Sequence, residues 1–133
     1  MSRLAKIAAF ILVAMLPLGL HAQSGFDVFV PISKYFSQGD ADKLSSWFAD
    51  NLEITIISRT SDSSRNQARQ MIKSFFENYS PRSFEINHTA SNGTTKYALG
   101  ALSAGGQTFL VTIFVSLDGD RYKIQQLKID AIR

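Results

Sequence analysis

The sequence predicts an α+β domain in the order α-α-β-α-β-β-β-β: three helices packed on one face of a mostly antiparallel sheet. Three observations predict it. Apolar residues recur at helical spacing in the first half of the chain. Four β-rich runs fill the second half, separated by Asn92-Gly93, Gly105-Gly106 and Asp118-Gly119-Asp120, each of them hairpin chemistry. The length of 133 residues, with 45% hydrophobic and 19% charged residues, is that of one globular domain.

The chain opens on an expected address. Arg3 and Lys6 precede an apolar run from Ile7 to Leu20, which Pro17 and Gly19 interrupt near its end, and Ala22 offers a small residue before a cut. That is the pattern of a secretory signal peptide over residues 1–22, leaving a mature domain of residues 23–133. The run falls short of the roughly 20 residues that span a bilayer, so no membrane span is expected after cleavage. The expected location is periplasmic or extracellular.

Asp27 is placed to cap a first helix, with Pro31 tolerated in its first turn. Val28, Ile32, Tyr35 and Phe36 form its apolar stripe, and Gly39 ends it. Asp40 caps a second helix, in which Leu44, Trp47 and Phe48 share a side and which Asp50-Asn51 closes. The β-branched run Leu52–Ser58 reads as a strand, and Arg59–Ser63 as a polar turn. Ser64 and Gln67 make a capping box for a third helix. Its stripe is Ala68, Met71, Ile72, Phe75, Phe76 and Tyr79, and Pro81 stops it. Strands are then expected over 83–91, 95–103, 107–117 and 122–130.

A two-residue period assigns faces to these strands. Phe84, Ile86, His88 and Ala90 share one side of the first. Gln125, Leu127 and Ile129 share one side of the last. The third strand is apolar on both sides, with Phe109, Val111, Ile113 and Val115 on one and Leu110, Thr112 and Phe114 on the other. With all helices used on one side, a second copy of the chain is the simplest cover for Leu110, Thr112 and Phe114. A homodimer through the sheet is therefore expected.

Composition excludes several classes of function. The chain contains no cysteine, which rules out disulfides, thiolate metal sites and thiol catalysis. The formal charge of +3 suggests nucleic acid, but cleavage takes two of the 14 basic groups, against 11 acidic ones, and leaves a net +1. The remaining cations are scattered, except Arg65, Arg69 and Lys73 along one helix, which read as a solvated face. No nucleic-acid partner is expected. Phosphate loops, dinucleotide fingerprints and the nucleophile elbow are absent, and no cofactor is expected.

The element order resembles the cystatin-like cone fold of the nuclear transport factor two superfamily. Within it, the chain is similar to small exported bacterial proteins grouped as domain of unknown function 4783. The resemblance rests on Gly39-Asp40-Ala41 with Leu44 and Phe48, Ala68 with Phe75-Phe76, then Pro81, Phe84 and His88. It continues through Tyr97-Ala98 with Gly100 and Gln125-Gln126-Leu127 with Ile129. The sequence departs from that pattern at Thr89-Ala90, where a glycine is expected nearby. The resemblance implies an exported cone-shaped domain in which a curved sheet and its helices enclose a pocket. It supplies no activity, because isomerases, dehydratases and non-catalytic binding modules share the fold.

For such a pocket the candidate polar lining is His88, Tyr97 and Gln125, with Trp47 as an aromatic candidate. His88 is the only histidine after residue 22. One His without neighbouring Asp or Glu cannot fill a coordination shell, so no metal site is expected. Acid–base catalysis needs an inward carboxylate or His with a second polar group, and no paired carboxylates converge in the sequence reading. The leading expectation is a non-catalytic exported binding module for a small hydrophobic ligand or an envelope protein. The alternatives are a small isomerase- or dehydratase-like enzyme using His88 and Tyr97, and a structural envelope protein that dimerises through the sheet.

Overall fold

The computed structural model describes residues 27–132, so the expected signal segment lies outside the described residues. Helix α1 (Phe29–Gln38) begins where the Asp27 carboxylate accepts a hydrogen bond from the Phe29 N–H at 2.8 Å. It ends at Gly39 with φ of 66°, where the Gly39 and Asp40 N–H groups donate back to Phe36 and Tyr35 carbonyls. Helix α2 (Ala41–Ser45) follows at once, capped by Asp40, which accepts from the Lys43 N–H at 3.0 Å.

The second helix is shorter than the sequence suggests. It stops at Ser45, and strand β1 (Phe48–Ile56) takes over Phe48 and the supposed helix-closing pair Asp50-Asn51. The reason is tertiary. Phe48 aligns with Ile124 of the last strand, and the Ile124 N–H donates to the Trp47 carbonyl. A sheet neighbour captures aromatic residues that favour extended backbone.

The polar segment after β1 is a strand, not a turn. β2 (Arg59–Ser64) pairs antiparallel with β1, and the turn is the two residues Ile57-Ser58, both with positive φ. β2 is an edge strand, so it carries hydroxyls rather than an apolar alternation. Thr60 and Thr55 share a hydroxyl hydrogen bond at 2.7 Å, and buried Ser63 donates to the Met71 sulfur at 3.7 Å. Helix α3 (Arg65–Asn78) starts with the expected reciprocal box of Ser64 and Gln67.

Strands β3 (Pro81–Asn92), β4 (Thr95–Ala104), β5 (Gln107–Asp118) and β6 (Arg121–Ala131) form the meander. The six strands make one sheet in the order β2-β1-β6-β5-β4-β3, antiparallel except where β1 meets β6. All three helices pack their apolar stripes on one face. Phe36, Phe48, Phe109, Ile113 and Leu127 are each at most 1% exposed and fill the space between helices and sheet. Phe36 joins the layers: its ring stacks on Phe84 at 4.9 Å and meets Phe76 edge-on at 6.0 Å.

Candidate functional site

Simple alternation along β3 puts His88 on the same side as Phe84 and Ile86. The structure reverses this. Phe84 aligns with Leu102 and Ile86 with Gly100, but His88 aligns with Leu99, so Asn87 is an extra residue in a bulge. The bulge turns His88 to the sheet face away from the helices, where it is exposed. Tyr97 lies on that same outer face, because it aligns with Phe114 across β4 and β5. Thr89 and Ala90, where the sequence departs from the family pattern, lie just beyond this bulge and pair in regular register with Ala98 and Tyr97.

Gln125 is displaced in the same way. Phe114 aligns with Gln126 and Val115 with Ile124, leaving Gln125 as the extra residue of a second bulge. Ile124 is fully buried, whereas Gln125 is half-buried. Trp47 stands elsewhere, in the turn just before β1, with the Arg121 guanidinium 6.0 Å from its ring centroid. The four residues expected around one inner pocket therefore do not meet there. Only His88 and Tyr97 come together, edge to face at 5.9 Å, and they do so on the outer surface.

The outer face does gather Leu110, Thr112 and Phe114, as alternation along β5 requires. The register makes Ala90, Tyr97, Phe114, Gln126, Glu53 and Asp62 one row across the whole sheet. Tyr97 and Phe114 stack, with centroids 5.5 Å apart and planes 25° apart. Beside Phe114, the Gln126 amide donates to the Glu53 carboxylate at 3.0 Å. The next rows hold His88 with Leu99 and Thr112, then Ala101 with Leu110. Tyr97, Leu99, Ala101, Thr112 and Phe114 are partly exposed, and Leu110 is 39% exposed.

Sequence reasoning missed Gln126, the Ala90 position and one carboxylate pair. Asp62, read as a turn residue, stands directly opposite Glu53 on the outer face. The signal for the Ala90 position was available, whereas Gln126 depends on the bulge at Gln125. Counting back from the Gly93-Thr94 turn places Ala90 opposite Tyr97, and counting from Gly105-Gly106 places Tyr97 opposite Phe114.

Two surface clefts accompany these features. One, of about 340 Å³, lies beside Tyr97 and Phe114 and is bordered by Ala90, Ser91, Asn92 and Thr95. The other, of about 400 Å³, lies between the α1–α2 corner and α3. Two of its carboxylates have structural duties, Asp40 capping α2 and Asp42 pairing with Arg69 at 3.2 Å, and Glu77 and Lys73 line it as well. Arg65 likewise holds Asp50 at 2.7 Å and the Phe48 carbonyl at 3.2 Å. Two of the three cations on α3 are thus engaged within the fold. Among the described residues, no group of three or more His, Asp or Glu is arranged to hold a metal ion, and no helix is long and apolar enough to cross a membrane.

Comparison with known proteins gives a consistent result. A family model described as "Domain of unknown function (DUF4783)" matches residues 29–130. A DUF4783 family protein from Bacteroides uniformis is 22% identical, with a TM-score of 0.77 over 80% of this chain and 99% of that one. A putative dehydratase from the NTF2-like family of Streptomyces avermitilis is 14% identical, with a TM-score of 0.59 over 77% of this chain and 89% of that one. A domain of unknown function with a cystatin-like fold from Nostoc punctiforme is 10% identical, with a TM-score of 0.63 over 77% and 72%. At these identities the likeness is one of fold. Among curated proteins, none matches this chain.

Proposed function

Because the chain belongs to the DUF4783 family of domains of unknown function, we propose that it is an exported, non-catalytic binding module that works through the outer face of its sheet. The observation that carries this reading is the uncovered apolar strip of Leu99, Ala101, Leu110, Tyr97 and Phe114. The helices occupy the opposite face, whose side chains fill the interior. Contiguous apolar surface rimmed by polar groups marks contact sites. The exposure of His88 supports a non-catalytic role: an imidazole open to water lacks the enclosed, preorganised surroundings that stabilise developing charge.

Export rests on the segment of residues 1–22, and N-terminal sequencing of the protein from a periplasmic fraction tests it. A mature terminus at Gln23 supports export, and an intact Met1 terminus in the cytoplasm overturns it. Hydroxyl-radical footprinting in periplasmic extract, against the purified protein, tests the contact surface. Protection of Leu99, Leu110 and Phe114 supports the reading, and protection confined to the helices overturns it.

A second reading, a homodimer, is favoured by Leu110, a large apolar side chain left 39% exposed on an otherwise half-buried face. Leu110→Lys or Phe114→Lys then abolishes association by light scattering. An unchanged dimer mass in both variants rejects the sheet as the interface.

A further inference from the structure

We infer that the corner of the outer face where β3, β4 and β5 meet is a saccharide site, taking a neutral hexose chain against Tyr97 and Phe114. The inference names the ligand class for the binding surface proposed above and rests on that reading.

The first support is the aromatic pair itself. Tyr97 and Phe114 are cross-strand neighbours with planes only 25° apart, and His88 stands at the end of the pair, edge to face with Tyr97. The Asn87 bulge is what brings His88 there. Bulges that re-aim a side chain recur beside functional sites.

The second support is open space on one flank. The cleft of about 340 Å³ runs beside both rings. Its volume falls in the roughly 300–1,000 Å³ range of small-molecule sites. Ala90 faces Tyr97 across the β3–β4 ladder, and its single methyl leaves that side of the ring uncovered.

The third support is charge. On the ring side the border carries the Asn92 carboxamide and the Thr95 hydroxyl, which also shares a hydrogen bond with Ser116 Oγ at 3.3 Å, and no carboxylate. Lys96 also borders the cleft, but its ammonium is engaged over the Tyr122 ring, 4.9 Å from the centroid. An aromatic surface edged by neutral donors and acceptors fits a pyranose. The C–H groups on one sugar face carry partial positive charge and lie against the negative face of an aromatic ring. The sugar hydroxyls donate to and accept from Thr and Asn side chains. Hydrogen bonds exchanged with water net little, so the rings supply most of the affinity and the polar border sets orientation. A phosphate-bearing ligand would meet no free cation here, and an alkyl chain would leave the Asn92 carboxamide without a partner.

The test is an NMR titration of the purified protein with cellotetraose, maltotetraose, chitotetraose and, as the anionic control, tetragalacturonate. The expected result is saturable shifts at Ala90–Asn92, Thr95–Tyr97 and Phe114 with a neutral tetrasaccharide and none with tetragalacturonate. Tyr97→Ala weakens that binding about ten-fold or more while the circular dichroism spectrum is retained, and Tyr97→Trp, which keeps an aromatic face, restores it. No saturable shift with any neutral probe, preference for the anion, or shifts mapping away from this corner overturns the inference. A dimer whose corner amides are protected from exchange also overturns it while leaving the outer-face reading intact. A footprint confined to the helices removes that reading as well.

Discussion

The ring of Phe84 lies over Gly100 of the neighbouring strand: a Cβ built on Gly100 would stand 2.6 Å from its Cζ and 2.8 Å from its Cε1. The same ring stacks on Phe36, so the missing side chain lets β3 and α1 share one aromatic contact. Gly100→Ala is expected to force Phe84 from its place and cost about 1–3 kcal/mol. Urea denaturation measures it. In a double-mutant cycle with Phe84→Ala, the added cost of the alanine at 100 falls but does not vanish, because the clashing ring is gone while the Glu85 carbonyl oxygen still stands 2.9 Å from the new Cβ.

Gly39 is fixed for two reasons at once. Its φ of +66° is left-handed, and a Cβ would stand 3.1 Å from Pro81 Cδ and Cγ. Gly39→Ala is expected to destabilise by about 1–2 kcal/mol from backbone strain alone. Replacing the adjacent Asp40 cap by alanine adds about 1 kcal/mol. Thermal unfolding of the single and double variants checks both.

The start of α3 depends on a reciprocal pair. Ser64 Oγ accepts from the Gln67 N–H at 3.1 Å, and Gln67 Oε1 accepts from the Ser64 N–H at 3.0 Å. Ser64→Ala is expected to cost about 1 kcal/mol, read as a lower urea midpoint with an unchanged slope.

The Ile57-Ser58 turn holds strain that sequence chemistry can relieve. Ile57 has φ of 45° and Ser58 of 71°, a conformation natural to Asn-Gly. Such positions cost on the order of 1–3 kcal/mol for ordinary residues. The double variant Ile57→Asn/Ser58→Gly is expected to raise the melting temperature, and a lower one contradicts the turn assignment.

Deleting Asn87 distinguishes the bulge from plain alternation. If Asn87 is the extra residue, its deletion straightens β3 and leaves His88 opposite Leu99. The His88–Tyr97 nuclear Overhauser contacts then persist. In an unbulged strand the same deletion would flip every residue after it.

Much of the architecture was legible because it is encoded over short distances. The Gly39 stop, the Ser64/Gln67 box and the three glycine turns of the meander each act within a few residues. Their elements appear within two residues of expectation. Helix α2 and β2 were misread because neither is decided locally. Trp47 and Phe48 follow a helical stripe but are held by Ile124, and Arg59–Ser64 carries no strand pattern of its own. The candidate site suffered most, since one extra residue reverses every side chain beyond it.

The sequence by itself determined the α+β class, the four-stranded meander, the capped helices and the apolar second face of β5. Hairpin turns, caps and the alternation along β5 are local statements, settled within a few residues of chain. Only the tertiary structure decided that β1 lies parallel beside β6, that bulges sit at Asn87 and Gln125, and that His88 joins Tyr97 and Phe114 outside the core. Those outcomes depend on which ladder fits its neighbour over a full strand. A bulge is set by the partner's twist and by burial of Phe84 and Ile124 on the inner side, and no short stretch of sequence specifies it.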